Sequence, residues 1–205
     1  TLPRKAKKIK ILVIPNPIRL AKKVEQKSLQ TIKYNNYIVS AGRLIPEKGF
    51  DILISVFSKL HKHFPDLKLV ILGEGKDRKA LEQQIEDLKM KDHIFLEGFV
   101  ENVYPYFNAA RLCVVSSRIE GFPNVLLQMM SENPNVVATK CAGDIDKIPG
   151  IYLSEINDEE DLLRAMTSCL NNCNKENEIQ FDTFLRERSI ENFVNNVNQY
   201  LQNEA

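Results

Sequence analysis

Two cations five residues apart, Arg43 and Lys48, stand in the run Gly42-Arg-Leu-Ile-Pro-Glu-Lys48-Gly49. A guanidinium offers a planar fork of donors and an ammonium a compact point charge, a pairing that suits a diphosphate. Gly42 lets backbone N–H groups approach an anion, and a helix starting nearby adds the partial positive charge of its N-terminus. As a pattern alone, the same residues also fit an Arg and a Lys on a solvated loop.

A second segment reads Ser116-Ser-Arg-Ile-Glu120-Gly121-Phe122-Pro123-Asn124-Val125, with Gln128 following. Pro123 suits the first turn of a helix, so Gly121 to Val125 offer backbone N–H groups to the ligand side. Glu120 can take sugar hydroxyls, and Gln128, about one turn into the helix, is within reach of a ribose. The plainer reading makes Glu120 an ordinary helix-start acid and Asn124 a local cap. Gly73-Glu74-Gly75 is a weaker signal: a phosphate or ribose loop, or equally a tight turn that needs glycine. Asp77 is a cap or first-turn acid of the helix after it.

These loops need elements to hold them. Short apolar, β-branched runs at Tyr37–Ala41, Leu67–Leu72, His93–Leu96, Leu112–Val115, Asn135–Thr139 and Gly150–Leu153 read as strands. Helical patterns lie between them near 48–63, 76–90, 101–109, 123–132 and 157–172, and two more follow near 178–187 and 189–203. Such alternation predicts right-handed crossovers and a parallel sheet covered on both faces, an α/β, Rossmann-like doubly wound fold. Ligands of that fold sit beyond the carboxyl ends of the strands. The loops from Gly42, Gly73, Gly98 and Ser116 all start there. Three stretches are expected: a basic linker or crossover over 1–35, with Ile11–Ile14 a candidate edge strand; a Rossmann-like domain over 36–175; and terminal helices over 176–205.

The net charge of +1 hides an asymmetry. Residues 1–33 hold ten Lys/Arg against the single acid Glu25, a balance of +9, which leaves −8 for the other 172 residues. Two readings fit this arm: a solvated linker, or a segment drawn to anionic lipid headgroups. No aromatic platform accompanies the charges, so nucleic acid is not an expected partner. Cys113, Cys141, Cys169 and Cys173 lack metal-ligand spacing and read as buried thiols, and no metal is expected. His61, His63 and His93 read as surface or structural residues. With no apolar run near the roughly 18 residues of a membrane helix and no signal peptide at the start, the expectation is a cytoplasmic chain, working at the inner face of a membrane if the arm binds lipid.

The runs GRLIPEKGFDILISVFSKL, LVILGEG, FLEGFV and SSRIEGFPNVLLQMM, in this order and spacing, resemble the retaining glycosyltransferases with the GT-B fold, glycosyl transferases group 1 (family 4). The resemblance covers about residues 9–140 well and 141–203 loosely, roughly the C-terminal, donor-binding half of such an enzyme. VIPNPI at 13–18 resembles the segment that crosses between the two domains.

The resemblance implies roles by position. Arg43 and Lys48 bind the donor diphosphate and stabilise the leaving charge. Glu120 matches the first of two paired acids and contacts the donor sugar. Gly121, Phe122, Pro123, Asn124 and Val125 line phosphate and sugar, and Gly98, Phe99 and Val100 lie near the base. The second acid, eight positions on, is Gln128 here, which loses charge assistance to the ribose. Asn133 replaces a glycine and is expected to end its helix in the left-handed conformation. Asp146 is a shorter stand-in for an acid of the next loop. The nucleotide-sugar is a co-substrate, and neither a cofactor nor a protein nucleophile is implied.

An N-terminal acceptor domain is expected as partner, so the chain alone is expected to be inactive. It reads either as the C-terminal domain of a longer enzyme or as a free-standing or decayed module that binds a nucleotide-sugar without turnover. EGFPN with VIPNPI resembles members using UDP-sugars on lipid-linked or surface glycans, including lipopolysaccharide. The closing helix carries an apolar face of Ile190, Phe193, Val194, Val197 and Leu201, which predicts self-association where no partner domain covers it.

Overall fold

The computed structural model describes residues 17–18, 32–172 and 174–203. The candidate strand Ile11–Ile14, most of the basic arm and Cys173 lie outside the described residues.

Among the described residues there are six strands: β1 (Tyr37–Ala41), β2 (Lys68–Leu72), β3 (Ile94–Gly98), β4 (Leu112–Val115), β5 (Val136–Thr139) and β6 (Tyr152–Ser154). They form one sheet in the order β3-β2-β1-β4-β5-β6, and every pairing is parallel. The helices are α1 (Phe50–Leu60), α2 (Arg78–Asp87), α3 (Tyr104–Ala109), α4 (Asn124–Glu132), α5 (Glu159–Asn171), α6 (Lys175–Glu187) and α7 (Ile190–Asn203), with short 3-10 turns at Pro46–Lys48 and Ile145–Lys147. All six expected strands form, β1 and β4 at the expected bounds and the other four with ends shifted by one or two residues.

Successive strand residues point to opposite faces, so each strand feeds two cores. Tyr37, Val39, Cys113, Val115 and Val136 join residues of α3, α4 and α6, among them Phe107, Leu127 and Phe181. Ile38, Leu69, Leu112, Val114 and Val137 join residues of α1, α2 and α5, among them Phe57, Leu81 and Met166. This double burial is why the strand sequences carry no polar alternation. In α1 the buried residues Phe50, Leu53, Ile54, Phe57 and Leu60 fall at helical spacing and make one inward stripe. Asp158 starts α5 by accepting from the N–H groups of Glu160 and Asp161, and the acids 159–161 suit the positive end of that helix.

Several local readings change. Asn133 is extended (φ −143°, ψ 128°), not left-handed. It is buried, donates to the carbonyls of Phe107 (2.8 Å) and Ala110 (2.7 Å), and accepts from the N–H of Asn135 (2.8 Å). An amide that ties α3 to the start of β5 has more to gain from those bonds than from a helix stop. Pro123 sits just before α4 as its cap residue, and Asn124 is the first helical residue. Asp77 precedes α2 without a side-chain capping bond; its backbone N–H donates to Leu44.

Both ends of the described chain meet the body. Tyr34, buried between Tyr37 and Phe95, already belongs to the core, ahead of residue 36. Ile18 is buried, pairs with Ser189, and donates its N–H to the Arg188 carbonyl (2.8 Å). Helix α6 packs on α4 and buries Phe181 and Leu185, whereas α7 leaves Ile190, Val194 and Leu201 exposed.

Candidate functional site

The chain leaves β1 toward β2 on one side, while β4 joins the sheet on the other side of β1. This is the switch point where the connections diverge, the place at the carboxyl ends of the strands where ligands of such sheets bind. The loops after β1 and β4 flank it, so Gly42–Gly49 and Ser116–Pro123 become neighbours.

Their contact is built from backbone. The Pro46 carbonyl accepts from Arg118 Nη1 (2.6 Å), the Glu47 carbonyl from the Arg118 N–H (2.7 Å), and the Lys48 carbonyl from Ser116 Oγ (2.9 Å). Gly49 follows at φ +64°, a conformation that glycine adopts without strain. A Cβ there would lie 2.1 Å from the Ser116 carbonyl oxygen, so the approach of the two loops requires glycine.

At this junction the Lys48 ammonium pairs with Glu120 Oε1, their side chains 19% and 16% exposed. Ser117 Oγ donates to the same oxygen (2.9 Å), and the Glu120 N–H donates to the Cys141 carbonyl (2.8 Å). Glu120 is therefore held at backbone and side chain alike. The Arg118 fork grips both carboxylate oxygens of Asp51 (2.8 and 2.7 Å), while its Nε reaches Asn157 (2.8 Å). That hydrogen bond is the main reason the Asp51 carboxyl lies below its usual range, and it outweighs the opposing effect of burial.

The remaining expected residues lie on the loops after β1 and β2, at and beyond the end of β3, and at the start of α4. Arg43 is exposed, and its guanidinium has no hydrogen-bond or ion-pair partner among the described residues. Gly42 adjoins Lys48, and its N–H donates to the Leu72 carbonyl (2.9 Å). The Gly73 N–H donates to Gly98 (2.7 Å), with both glycines at positive φ. Glu74 is half given over to structure: its carbonyl accepts from Leu44, and its carboxylate takes Arg78 Nη1 at 2.8 Å. Phe99 is 81% exposed and Val100 partly buried. Gly121 and Asn124 are exposed, Pro123 is buried, and Val125 and Gln128 are partly buried. The Phe122 ring lies 5.1 Å under the Arg188 guanidinium, which ties the loop to the α6–α7 junction.

So the structure joins Lys48 to Glu120 and leaves Arg43 apart from both. Ser117, Arg118 and Asp51 escaped the sequence reading as parts of the site. All three lie inside the quoted runs, but nothing local marks Asp51 as the partner of Arg118, 67 positions away.

The sequence pattern described as Glycosyl transferases group 1 matches residues 35–172, more than half of the chain. The chain belongs to the glycosyl transferases group 1 family. This group 1 chain is 32% identical over 152 residues to the N-acetylgalactosamine-N,N'-diacetylbacillosaminyl-diphospho-undecaprenol 4-alpha-N-acetylgalactosaminyltransferase of Campylobacter jejuni, covering 72% of the chain and 41% of that protein. It is 28% identical over 144 residues to an uncharacterized glycosyltransferase of Methanocaldococcus jannaschii, covering 67% and 36%. The chain thus spans less than half the length of these relatives.

Among solved structures, S. aureus TarM in complex with UDP superimposes with a TM-score of 0.76 at 22% identity, over 90% of this chain and 38% of TarM. The C-terminal domain of a group 1 glycosyltransferase (LpcC) from Francisella tularensis gives 0.67 at 22% identity, over 77% of this chain and 89% of that domain. These likenesses establish the fold: a Rossmann-like α/β half of the GT-B type. Among the described residues no helix is long and apolar enough to cross a membrane.

Proposed function

We propose that this chain is the donor-binding half of a retaining glycosyltransferase that uses a UDP-sugar to build a cell-surface or lipid-linked glycan. The supporting observation is the junction at the switch point, where Lys48 and Glu120 are locked together, with Arg43 exposed on the same loop as Lys48 and without a side-chain partner among the described residues. In this reading Arg43 grips the diphosphate as a fork and Lys48 as a point charge, while Glu120 accepts hydrogen bonds from the sugar hydroxyls. Gln128 takes a ribose hydroxyl, and the Gly98–Val100 backbone faces the base.

The reaction breaks the bond between the sugar C1 and the β-phosphate oxygen. The acceptor oxygen bonds C1 on the same face, and its proton passes to the phosphate. Charge grows on the diphosphate as that bond breaks, and two cations bound to it stabilise it more than they stabilise the bound donor. No metal, cofactor or protein nucleophile is required in this scheme. Acceptor contacts come from an N-terminal domain, and the basic arm over 1–33 holds the enzyme to the anionic cytoplasmic face of a membrane. The Campylobacter relative, whose name places its acceptor on diphospho-undecaprenol, supports the lipid-linked class, and UDP in the TarM complex supports the donor class.

Gln128 favours a second reading, a module that binds a nucleotide-sugar without turnover.

Calorimetric titration with UDP, GDP and ADP tests the proposal. UDP is expected to bind selectively. Arg43→Ala is expected to weaken it about 10- to 100-fold, one lost charge-assisted hydrogen bond, at unchanged melting temperature. A folded sample that binds none of the three nucleotides would sink the donor-site reading.

A further inference from the structure

We infer that Arg118 is a positioning residue for Lys48: it sets where the ammonium stands relative to the donor diphosphate. This rests on the donor-site reading above. The main chain of the turn that carries Lys48 is bound to the 116–118 segment through three consecutive carbonyls, and Arg118 supplies two of the three donors, Nη1 to Pro46 (2.6 Å) and its own N–H to Glu47 (2.7 Å). The same guanidinium holds Asp51, in the first turn of α1, by two bonds of 2.8 and 2.7 Å, and Asn157 by one of 2.8 Å. One planar group thus fixes both ends of the Pro46–Asp51 stretch against the loop that leads to Glu120.

A long ammonium side chain loses considerable rotamer freedom when it binds an anion, and a rigid base under it reduces how much more must be ordered. The geometry is particular to a guanidinium. Its donors serve a carboxylate in a bidentate grip, a carbonyl and an amide oxygen at once, whereas a lysine at this place carries the same charge without the planar fork.

The test is a double-mutant cycle read by UDP affinity, with Arg118→Lys, Lys48→Ala and the pair, each checked by circular dichroism and thermal melting. Arg118→Lys alone is expected to weaken UDP about tenfold, and so is Lys48→Ala; the double variant should be no more than about twofold weaker than Lys48→Ala. That non-additivity is the signature of a residue acting through Lys48, and a general loss of rigidity would not produce it. Should Arg118→Lys fail to fold, Asp51→Asn loosens the same guanidinium and is expected to weaken UDP in the wild-type background but not in Lys48→Ala. Additive losses, or a lower melting temperature with UDP affinity unchanged, overturn the inference while leaving the donor site standing. A wild-type chain that does not bind UDP overturns the donor-site reading, and the role of Arg118 falls with it.

Discussion

The Lys48 ammonium and the Glu120 carboxylate form an ion pair across 72 positions of sequence, and each side chain keeps less than a fifth of its surface in water. The pair links the loop after β1 to the loop after β4 and sets opposite charges at one point. Its members depend on each other for stability. Glu120→Ala leaves the ammonium largely desolvated and without its partner, and is expected to cost about 1–3 kcal/mol in urea unfolding. Adding Lys48→Met to that variant should recover part of the loss. A Glu120→Ala variant as stable as wild type would mean that the pair contributes nothing.

Glycine substitutions separate close approach from open space. Gly49→Ala puts a Cβ against the Ser116 carbonyl at a positive φ, and at least ~2 kcal/mol of stability should be lost, together with UDP binding. Gly121→Ala is the contrast, because a Cβ there meets nothing within 4 Å. Its unfolding midpoint should match wild type to within about 0.5 kcal/mol. Equal effects at the two positions would contradict the packing described.

Asn133 offers a test of conformation. Its side chain holds two carbonyls and one N–H that are otherwise deprived of these bonds, so Asn133→Ala should destabilise by about 2–3 kcal/mol. Asn133→Gly should be at least as damaging. At a left-handed helix stop glycine would instead be tolerated or preferred, so an Asn133→Gly variant of undiminished stability would restore that reading.

Stability should also depend on His61. Its ring lies against His93, tilted by 43° with centroids 4.0 Å apart, and its buried Nδ1 has no hydrogen-bond partner. Burial, and next the neighbouring His93, push its pKa below the usual histidine range, against the opposing pull of the Leu67 backbone and Asp66. The folded state therefore favours neutral His61, and between the folded value and about 6.5 the unfolded chain binds more protons. The stability this confers is present above about pH 6.5 and is lost as pH falls through the folded value. Melting curves from about pH 7 down to about pH 5 should show a decline that is reduced in His61→Leu. An unchanged decline in that variant would place the effect elsewhere.

How much of this could be read along the chain follows from what is local. Runs such as Leu69–Leu72 and Leu112–Val115 are apolar throughout because both faces of a parallel sheet are covered, and that alone marks them as strands. Gly42, Gly73 and Gly98 mark the turns after strands, and Pro123 marks the start of α4 to within one residue. The two charged motifs were therefore placed on ligand-side loops from sequence alone. The conformation of Asn133 was not legible, since whether an amide ends a helix or ties neighbouring elements depends on which carbonyls lie near it. The contact of His61 with His93, from the end of α1 and the start of β3, was hidden for the same reason.

The sequence by itself determined the order of strands and helices, the residues at the strand ends and the chemistry they offer, because burial period and turn geometry are written over a few neighbouring residues. The tertiary structure decided which of those residues meet. Lys48 pairs with Glu120, and Arg118 serves Pro46, Glu47 and Asp51, because β4 lies directly beside β1 in the sheet. That adjacency is a property of how the whole chain buries its apolar faces, and no local stretch encodes it.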